Sequence, residues 1–400
     1  MSRAVVLLCL SVFVLVLGTG IVAPLLAPLA RDLGATGFWV AMLYSGFSLV
    51  RLILGNPVGR LSDRKGPKMM LTISLLFYPF IALTYITAEH FAQLLGARLL
   101  HGVASAMMLP MAMAYMGQVS PRGEEGRYMG IYNTVFNIGS GLGPLVGGLV
   151  AQVYGVLAAF WSLMGLAFVA ITIVFFLPKV EPVGDRRTRG DGGRPLSTWD
   201  LFRHPGLLAV AGIFVVLAVL EIYFISFFPL FAQERGISTF ATGFLIALNY
   251  VAIGVMQVPF GRLADRVDRS KLITGAAFFT AAALLLFPLA QGVWAIAGMM
   301  LLVGVGTALT LSASAALSAV LGRSIGMGST MGFLGTANSL GMILGPLANG
   351  ACVDYFTVEA TFYFSGVVWL LGAVLFLSLW AAYRRQATPD AGIGNISPGK

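Results

Sequence analysis

A chain of 400 residues that is 58% hydrophobic and only 10% charged is not an ordinary water-soluble domain, in which about a quarter of residues carry charge. Its formal net charge of +9 is not the footprint of nucleic-acid binding, because the charges cluster in the short segments between apolar runs. With no GxxxxGK[ST] loop, no HExxH pair and only two widely separated cysteines, Cys9 and Cys352, neither an enzyme nor a cofactor or metal site is expected.

A membrane-crossing helix needs about 20 mostly apolar residues. Twelve stretches qualify: about 4–30, 37–59, 69–88, 91–118, 127–153, 156–177, 207–231, 239–261, 271–290, 293–321, 327–352 and 360–382. They predict an all-α integral membrane protein with twelve transmembrane helices in two six-helix bundles. The expected division is 1–178 for the first bundle, 179–205 for a linker, 206–383 for the second bundle and 384–400 for a disordered tail. If the N-terminus is cytoplasmic, only Arg31 and Arg235 of the 25 Lys and Arg fall outside, and Arg51 and Arg98 fall within spans. That bias places both termini in the cytoplasm.

The first span opens on Arg3 and resembles a signal peptide, but residues 21–38 match 223–240, so the run is read as retained. It carries Pro24 and Pro28 and no acid before Asp32. Span two holds Tyr44 and Arg51; the latter lies about 12 Å inside Gly59 along a helix. The loop after it reads Gly59-Arg60-Leu-Ser-Asp63-Arg64-Lys65-Gly66-Pro67-Lys68. Gly59 permits close helix approach, and Asp63 suits a helix N-terminus or a cation. Span four carries Arg98 and, one turn on, His101; a buried arginine usually faces a cavity or a partner. Span five reads Gly139-Ser-Gly141-Leu-Gly143-Pro144-Leu-Val-Gly147-Gly148, with Asn133 and Asn137 on one face. Its glycines allow backbone-to-backbone packing, and Pro144 bends the helix.

The polar segment Lys179–His204 then separates the halves, and its Trp199-Asp-Leu-Phe202 is suited to a short interfacial helix. Span seven carries Glu221, the one carboxylate predicted to lie deep in the membrane, and Tyr223. Span eight carries Asn249, Tyr250 and Gln257, and ends in Gly261-Arg262-Leu-Ala-Asp265-Arg266. Asn338 lies in span eleven. As candidate cavity residues, Arg51, Tyr44, Asn133, Asn137, Tyr223, Asn249, Tyr250 and Asn338 are polar handles in an otherwise apolar setting. Each alone serves equally well as glue between helices.

The chain is written twice. An offset of 202 residues lays Pro57–Arg64 on Pro259–Arg266 and Gly139–Leu145 on Gly341–Leu347. The ionisable residues break this repeat. Arg51, Arg98, His101 and Glu221 fall opposite Ile253, Met300, Val303 and Thr19. Two like halves in a membrane chain imply bundles that move about a site between them.

The loop at Gly59–Lys68 resembles the signature loop of the major facilitator superfamily, and the likeness covers nearly the whole chain. The resemblance implies that Asp63, with Arg60 and Arg64, locks the outward-facing state. Its second copy is Gly261, Arg262, Asp265 and Arg266, with Asp268 where the first has Gly66. Arg98 and His101 resemble the family's fourth-span motif, linked to proton transfer, although the family often has glutamine at the place of His101. The glycines of span five with Pro144 look like the motif that marks drug-efflux antiporters. The missing acid in span one departs from many such exporters.

The reading that follows is a proton-coupled antiporter exporting small amphipathic or lipophilic compounds. Glu221, Arg98 and His101 are its proton-coupling set. The expected partners are a small-molecule substrate, protons and membrane lipid, and no nucleic acid. A monomer in a prokaryotic plasma membrane is expected. A lipid or lysolipid flippase, with Arg51 and Arg98 hosting an anionic head group, and a sugar or organic-anion symporter stay open as alternatives. A sensor or scaffold that transports nothing fits poorly with the repeat and the loops.

Overall fold

The computed structural model describes residues 3–121, 125–179, 203–325 and 327–387. Residues 180–202 of the linker, with the candidate interfacial helix at 199–202, and the tail from 388 onward lie outside the described residues. The first half is α1 (Arg3–Val22), α2 (Leu26–Asp32), α3 (Gly37–Lys65), α4 (Pro67–Ile86), α5 (Phe91–Val119), α6 (Glu125–Tyr154) and α7 (Val156–Phe175). The second is α8 (Pro205–Ser226), α9 (Phe228–Glu234), α10 (Thr239–Arg266), α11 (Arg269–Leu286), α12 (Gly292–Ile325), α13 (Met327–Tyr355) and α14 (Ala360–Ala387). Twelve stretches are long and apolar enough to cross a membrane among the described residues. One boundary shifts: α14 continues to Ala387, so residues 384–387, expected in a disordered tail, are helical. Arg384 there donates to Asp268 at 2.8 Å, which holds the last turn.

The repeat governs the packing. In the first half α1 packs on α6 and α7, α5 on α3 and α4, and α4 on α7; in the second α8 packs on α13 and α14, α12 on α10 and α11, and α11 on α14. The first span of each half breaks at the same repeat position. A short 3₁₀ turn at Ala23–Leu25 carries Pro24, and the chain re-enters helix at Phe228 with Pro229 in the first turn. Proline both removes a hydrogen bond and clashes with the preceding turn. Gly34 and Gly236, repeat partners past the ends of α2 and α9, have positive φ of 85° and 68°, a conformation that costs glycine nothing.

The linker end of the bundle carries the inter-half segment; the opposite end is called the far face. Exposed Trp39, Tyr154, Trp294 and Tyr355 ring the far-face helix ends, as aromatic side chains do where hydrocarbon meets water. The two halves have different interiors. The second holds an aromatic cluster in which Phe287 stacks on Phe362 at 4.3 Å between ring centres, and Phe231 and Tyr223 meet Phe362 edge-on at 4.8 and 5.1 Å. The first half has charge in its interior.

Candidate functional site: a central cavity closed at one face

Arg98 lies about two turns into α5 and is 5% exposed. Its guanidinium lies over two rings from α3, with centroids of Tyr44 and Phe47 at 4.9 and 4.7 Å. Such stacking stabilises a desolvated guanidinium by about 2 kcal/mol or more. One turn along the helix, His101 is 4% exposed and sits edge-on to Phe47 and Tyr78, with ring centres 5.2 Å apart in each case. Its Nδ1 is 3.5 Å from Arg98 Nη1 and 3.4 Å from the Tyr85 hydroxyl. A guanidinium only donates, so a hydrogen bond between the two has Nδ1 as its acceptor.

Arg98 and His101 form one wall of a cavity with about 1050 Å³ of empty space. Arg51 of α3 stands on the same wall, its guanidinium carbon 5.5 Å from the Phe47 ring centre. Glu221 of α8 faces them from the second half and is exposed to the cavity. Among the described residues neither Arg51 nor Glu221 has an ion pair within 4.0 Å or a side-chain hydrogen bond. Glu221, Tyr250 and Asn137 border a second chamber of about 840 Å³ in the second half. A third, of about 810 Å³, runs from Arg51 and Ser105 toward the linker end between α3, α5 and α13. The titratable groups around Glu221 are Arg51, Tyr78, Arg98, His101 and Tyr250.

The far face is shut by a seam with the symmetry of the repeat. A Cβ on Gly37 of α3 would fall 2.5 Å from the carbonyl oxygen of Gly350 on α13. A Cβ on Gly148 of α6 would fall 2.6 Å from the carbonyl oxygen of Thr239 on α10. Only glycine allows backbones this close. Each contact is strapped by residues that are also repeat partners. Asp354 accepts from the backbone N–H groups of Gly37 at 2.5 Å and Phe38 at 2.7 Å. Gln152 accepts from Phe240 N–H at 3.1 Å. Nearer the middle, the Ser45 hydroxyl donates to Ile343 O at 2.7 Å. Toward the linker end the halves part: a Cβ on Gly254, Gly261, Gly332 or Gly335 would meet nothing within 4 Å.

The glycines of the span-five motif serve two partners. Gly139, Gly143 and Gly147 lie on the face of α6 toward α1, where a Cβ on Gly143 would sit 2.5 Å from Gly20 Cα, and one on Gly147 would strike the carbonyl of Ile21. Gly148 turns the other way, to the seam. The Pro144 carbonyl joins it there, packed against Gly243 of α10.

Arg51, Arg98, His101, Glu221, Asn137, Tyr250 and Asn338 thus line connected chambers. Three expected cavity residues use their polar groups in packing. The Tyr44 hydroxyl donates to Ala23 O at 2.9 Å, behind Arg98. Tyr223 is fully buried in the aromatic cluster and hydrogen-bonded to the Thr361 hydroxyl at 3.1 Å, away from the chambers. Asn249 borders the second chamber but donates to Met300 O at 2.9 Å. Arg262 and Arg266 are exposed at the linker end of α10. The side chains of Arg60, Asp63, Arg64, Asn133 and Asp265 lie outside the described residues, and Gly59 is described only as part of the α3 backbone. Asp268 accepts from Ser270 N–H at 2.9 Å and so caps α11. Burial pushes its carboxyl up, but bonds from Ser270 and Arg384 outweigh that and hold it at about 2. The straps Gln152 and Asp354 were absent from the sequence candidates. Their signal was available, because they are polar repeat partners at the ends of spans five and eleven.

Twelve membrane helices in two like bundles around a central cavity define a membrane transporter of small molecules. A family model of the Major Facilitator Superfamily matches residues 8–248 and 212–397, and the chain belongs to this family. An uncharacterized MFS-type transporter, MJ1560 of Methanocaldococcus jannaschii, is 25% identical over 370 residues, 92% of this chain and 95% of that one. The quinolone resistance protein NorA of Staphylococcus aureus is 25% identical over 385 residues, 94% and 96% of the two chains. Among solved structures, a bacterial homolog of the human lysosomal transporter Spinster, inward-facing and unoccupied, superposes with TM-score 0.78 at 15% identity over 96% of this chain and 99% of that one. The nucleoside transporter NupG gives 0.75 at 14% over 95% and 99%. At these identities the two structures show the fold alone.

Proposed function

We propose that the protein is a proton-coupled antiporter that exports small amphipathic compounds by alternating access. It would work in a prokaryotic plasma membrane with both termini in the cytoplasm. In that orientation the structure has its cavity open toward the cytoplasm and its far face shut to the outside. The observation that carries the reading is Glu221, a carboxylate without an ion pair among the described residues, facing two guanidinium groups of the other half across a central cavity. Protonation of Glu221 removes the charge that answers Arg51 and Arg98, and so changes the attraction between halves. A substrate group that needs the ionised carboxylate competes with the proton, a reciprocal coupling. Arg98 and His101 hold the opposing wall in place. The relative named for quinolone resistance supports export of drug-like compounds, as does the glycine motif of span five. Asp63 with Arg60 and Arg64, and Asp265 with Arg262 and Arg266, are assigned to closing the linker end in the outward-facing state.

The test uses purified protein in liposomes with an imposed pH gradient and a lumenal pH dye. Lipophilic cations, neutral drugs, organic anions and lysolipids are added in turn, and wild type is compared with Glu221→Gln. Compound-driven proton flux that disappears in the variant is expected. Flux that persists unchanged in the variant removes Glu221 from the coupling. Lipid redistribution without proton flux replaces the antiporter with a flippase.

A further inference from the structure

The two cavity arginines differ in how far their binding capacity is already used. Arg98 is covered on its guanidinium by Tyr44 and Phe47 and has His101 at its edge. The Arg51 guanidinium carbon lies 5.5 Å from the Phe47 ring centre, and the residue has no hydrogen bond or ion pair among the described residues. It borders both the central cavity and the chamber leading to the linker end, where Ser105 and Asn338 share the lining. A guanidinium offers five N–H donors in a fork that matches a carboxylate. Inside a membrane a guanidinium whose donors are unfilled is costly, and the carboxylate of Glu221 answers it only from across the cavity, so the site suits an anionic group that reaches Arg51 directly. Glu221 has the complementary vacancy, a carboxylate bordering the same cavity with no cation within 4.0 Å among the described residues. The same cavity has an apolar lining that includes Leu15, Phe136 and Ile225.

We infer that this cavity recognises zwitterionic amphiphiles, whose carboxylate pairs with Arg51 on the first half while their ammonium pairs with Glu221 on the second. This rests on the antiporter reading in one respect: the ammonium takes the place of the exchanged proton at Glu221. A purely cationic compound leaves Arg51 unanswered, and a purely anionic one leaves Glu221 unanswered. A ligand with both poles neutralises the site and spans the two halves at once.

Four fluorescent probes on one scaffold separate these cases. Lysine dansylated on its side-chain nitrogen is a zwitterion; its methyl ester is a cation; its Nα-acetyl derivative is an anion; the doubly blocked compound is neutral. Binding is measured by dansyl fluorescence with the full chain in lipid nanodiscs. A hydrogen bond to a charged group is worth enough that the zwitterion is expected to bind about tenfold or more tighter than each of the others. In Arg51→Gln its advantage over the ester falls to within about threefold, while Arg51→Lys keeps part of it. The inference is overturned if the zwitterion is not the tightest binder to wild type, or if Arg51→Gln leaves the ratio unchanged. Proton flux is then recorded with the same probes. A zwitterion advantage without flux upholds this inference and removes the antiport; flux driven equally by ester and zwitterion does the reverse.

Discussion

Replacing Asp354 with alanine should open the far face. The side chain holds two backbone N–H groups at the start of α3, Gly37 at 2.5 Å and Phe38 at 2.7 Å, from the end of α13 in the other half. Loss of a capping side chain costs about 0.5–2 kcal/mol. Asp354 is exposed, so water compensates in part and the lower half of that range applies to each bond. A total near 2 kcal/mol shifts a two-state balance about 30-fold. Because these bonds exist only when the far face is shut, the loss falls on one state. Double electron–electron resonance reads the outcome. Spin labels go on exposed Met69 and Lys271, at the linker-end starts of α4 and α11 in opposite halves, after Cys9 and Cys352 are replaced by serine. The population at short distance should rise in Asp354→Ala. Gln152→Ala, which loses one neutral bond of 3.1 Å, should do less. A distance distribution identical to wild type in Asp354→Ala refutes the assignment of this strap to the closed state.

Two further outcomes follow from packing and charge. Gly147→Ala should lower thermal stability by about 1–3 kcal/mol, because its Cβ meets the Ile21 backbone and neither helix can yield without parting α1 from α6. Gly254→Ala, with nothing within 4 Å of the new atom, should stay within about 0.5 kcal/mol of wild type; unfolding midpoints in detergent compare them. The Asp268 carboxyl is held at about 2 against an ordinary 3.8. Its folded value is the depressed one, so its contribution is complete above the ordinary value and fades as pH falls from about 4 to about 2. With Arg384 57% exposed the contribution is under about 1 kcal/mol. The stability gap between wild type and Asp268→Asn should be small at pH 7 and close over that interval.

The repeat made most of the fold legible. An offset that superposes Pro57 on Pro259 and Gly143 on Gly345 also superposes which helices touch, because glycine and proline fix where backbones approach and bend. The cavity was legible through departures from that offset. Arg51, Arg98, His101 and Glu221 break the repeat, and all four line one space. Polar residues without charge were not sortable in the same way. Tyr223 and Asn137 look alike in sequence, yet one hydroxyl is consumed inside an aromatic cluster and the other side chain faces the chamber. A membrane helix is apolar on its lipid face, its packed face and its cavity face alike, so composition does not say which way such a residue turns. Asp354 and Gln152 show themselves in sequence only as polar repeat partners at span ends; what they hold was not legible, because their partners are backbone N–H groups, which every sequence carries.

The uneven sharing of charge between two near-copies has a consequence for how such a chain can be reassembled. A dimer of two first halves would set four arginines around the cavity with no carboxylate to answer them. A dimer of two second halves would present two glutamates backed by stacked rings. Both would keep the glycine contacts that let halves meet, so both are sterically reasonable. Only the unlike pairing supplies opposite charges across one space, and a gene split at residues 179–205 should therefore regain transport when both fragments are expressed and from neither alone.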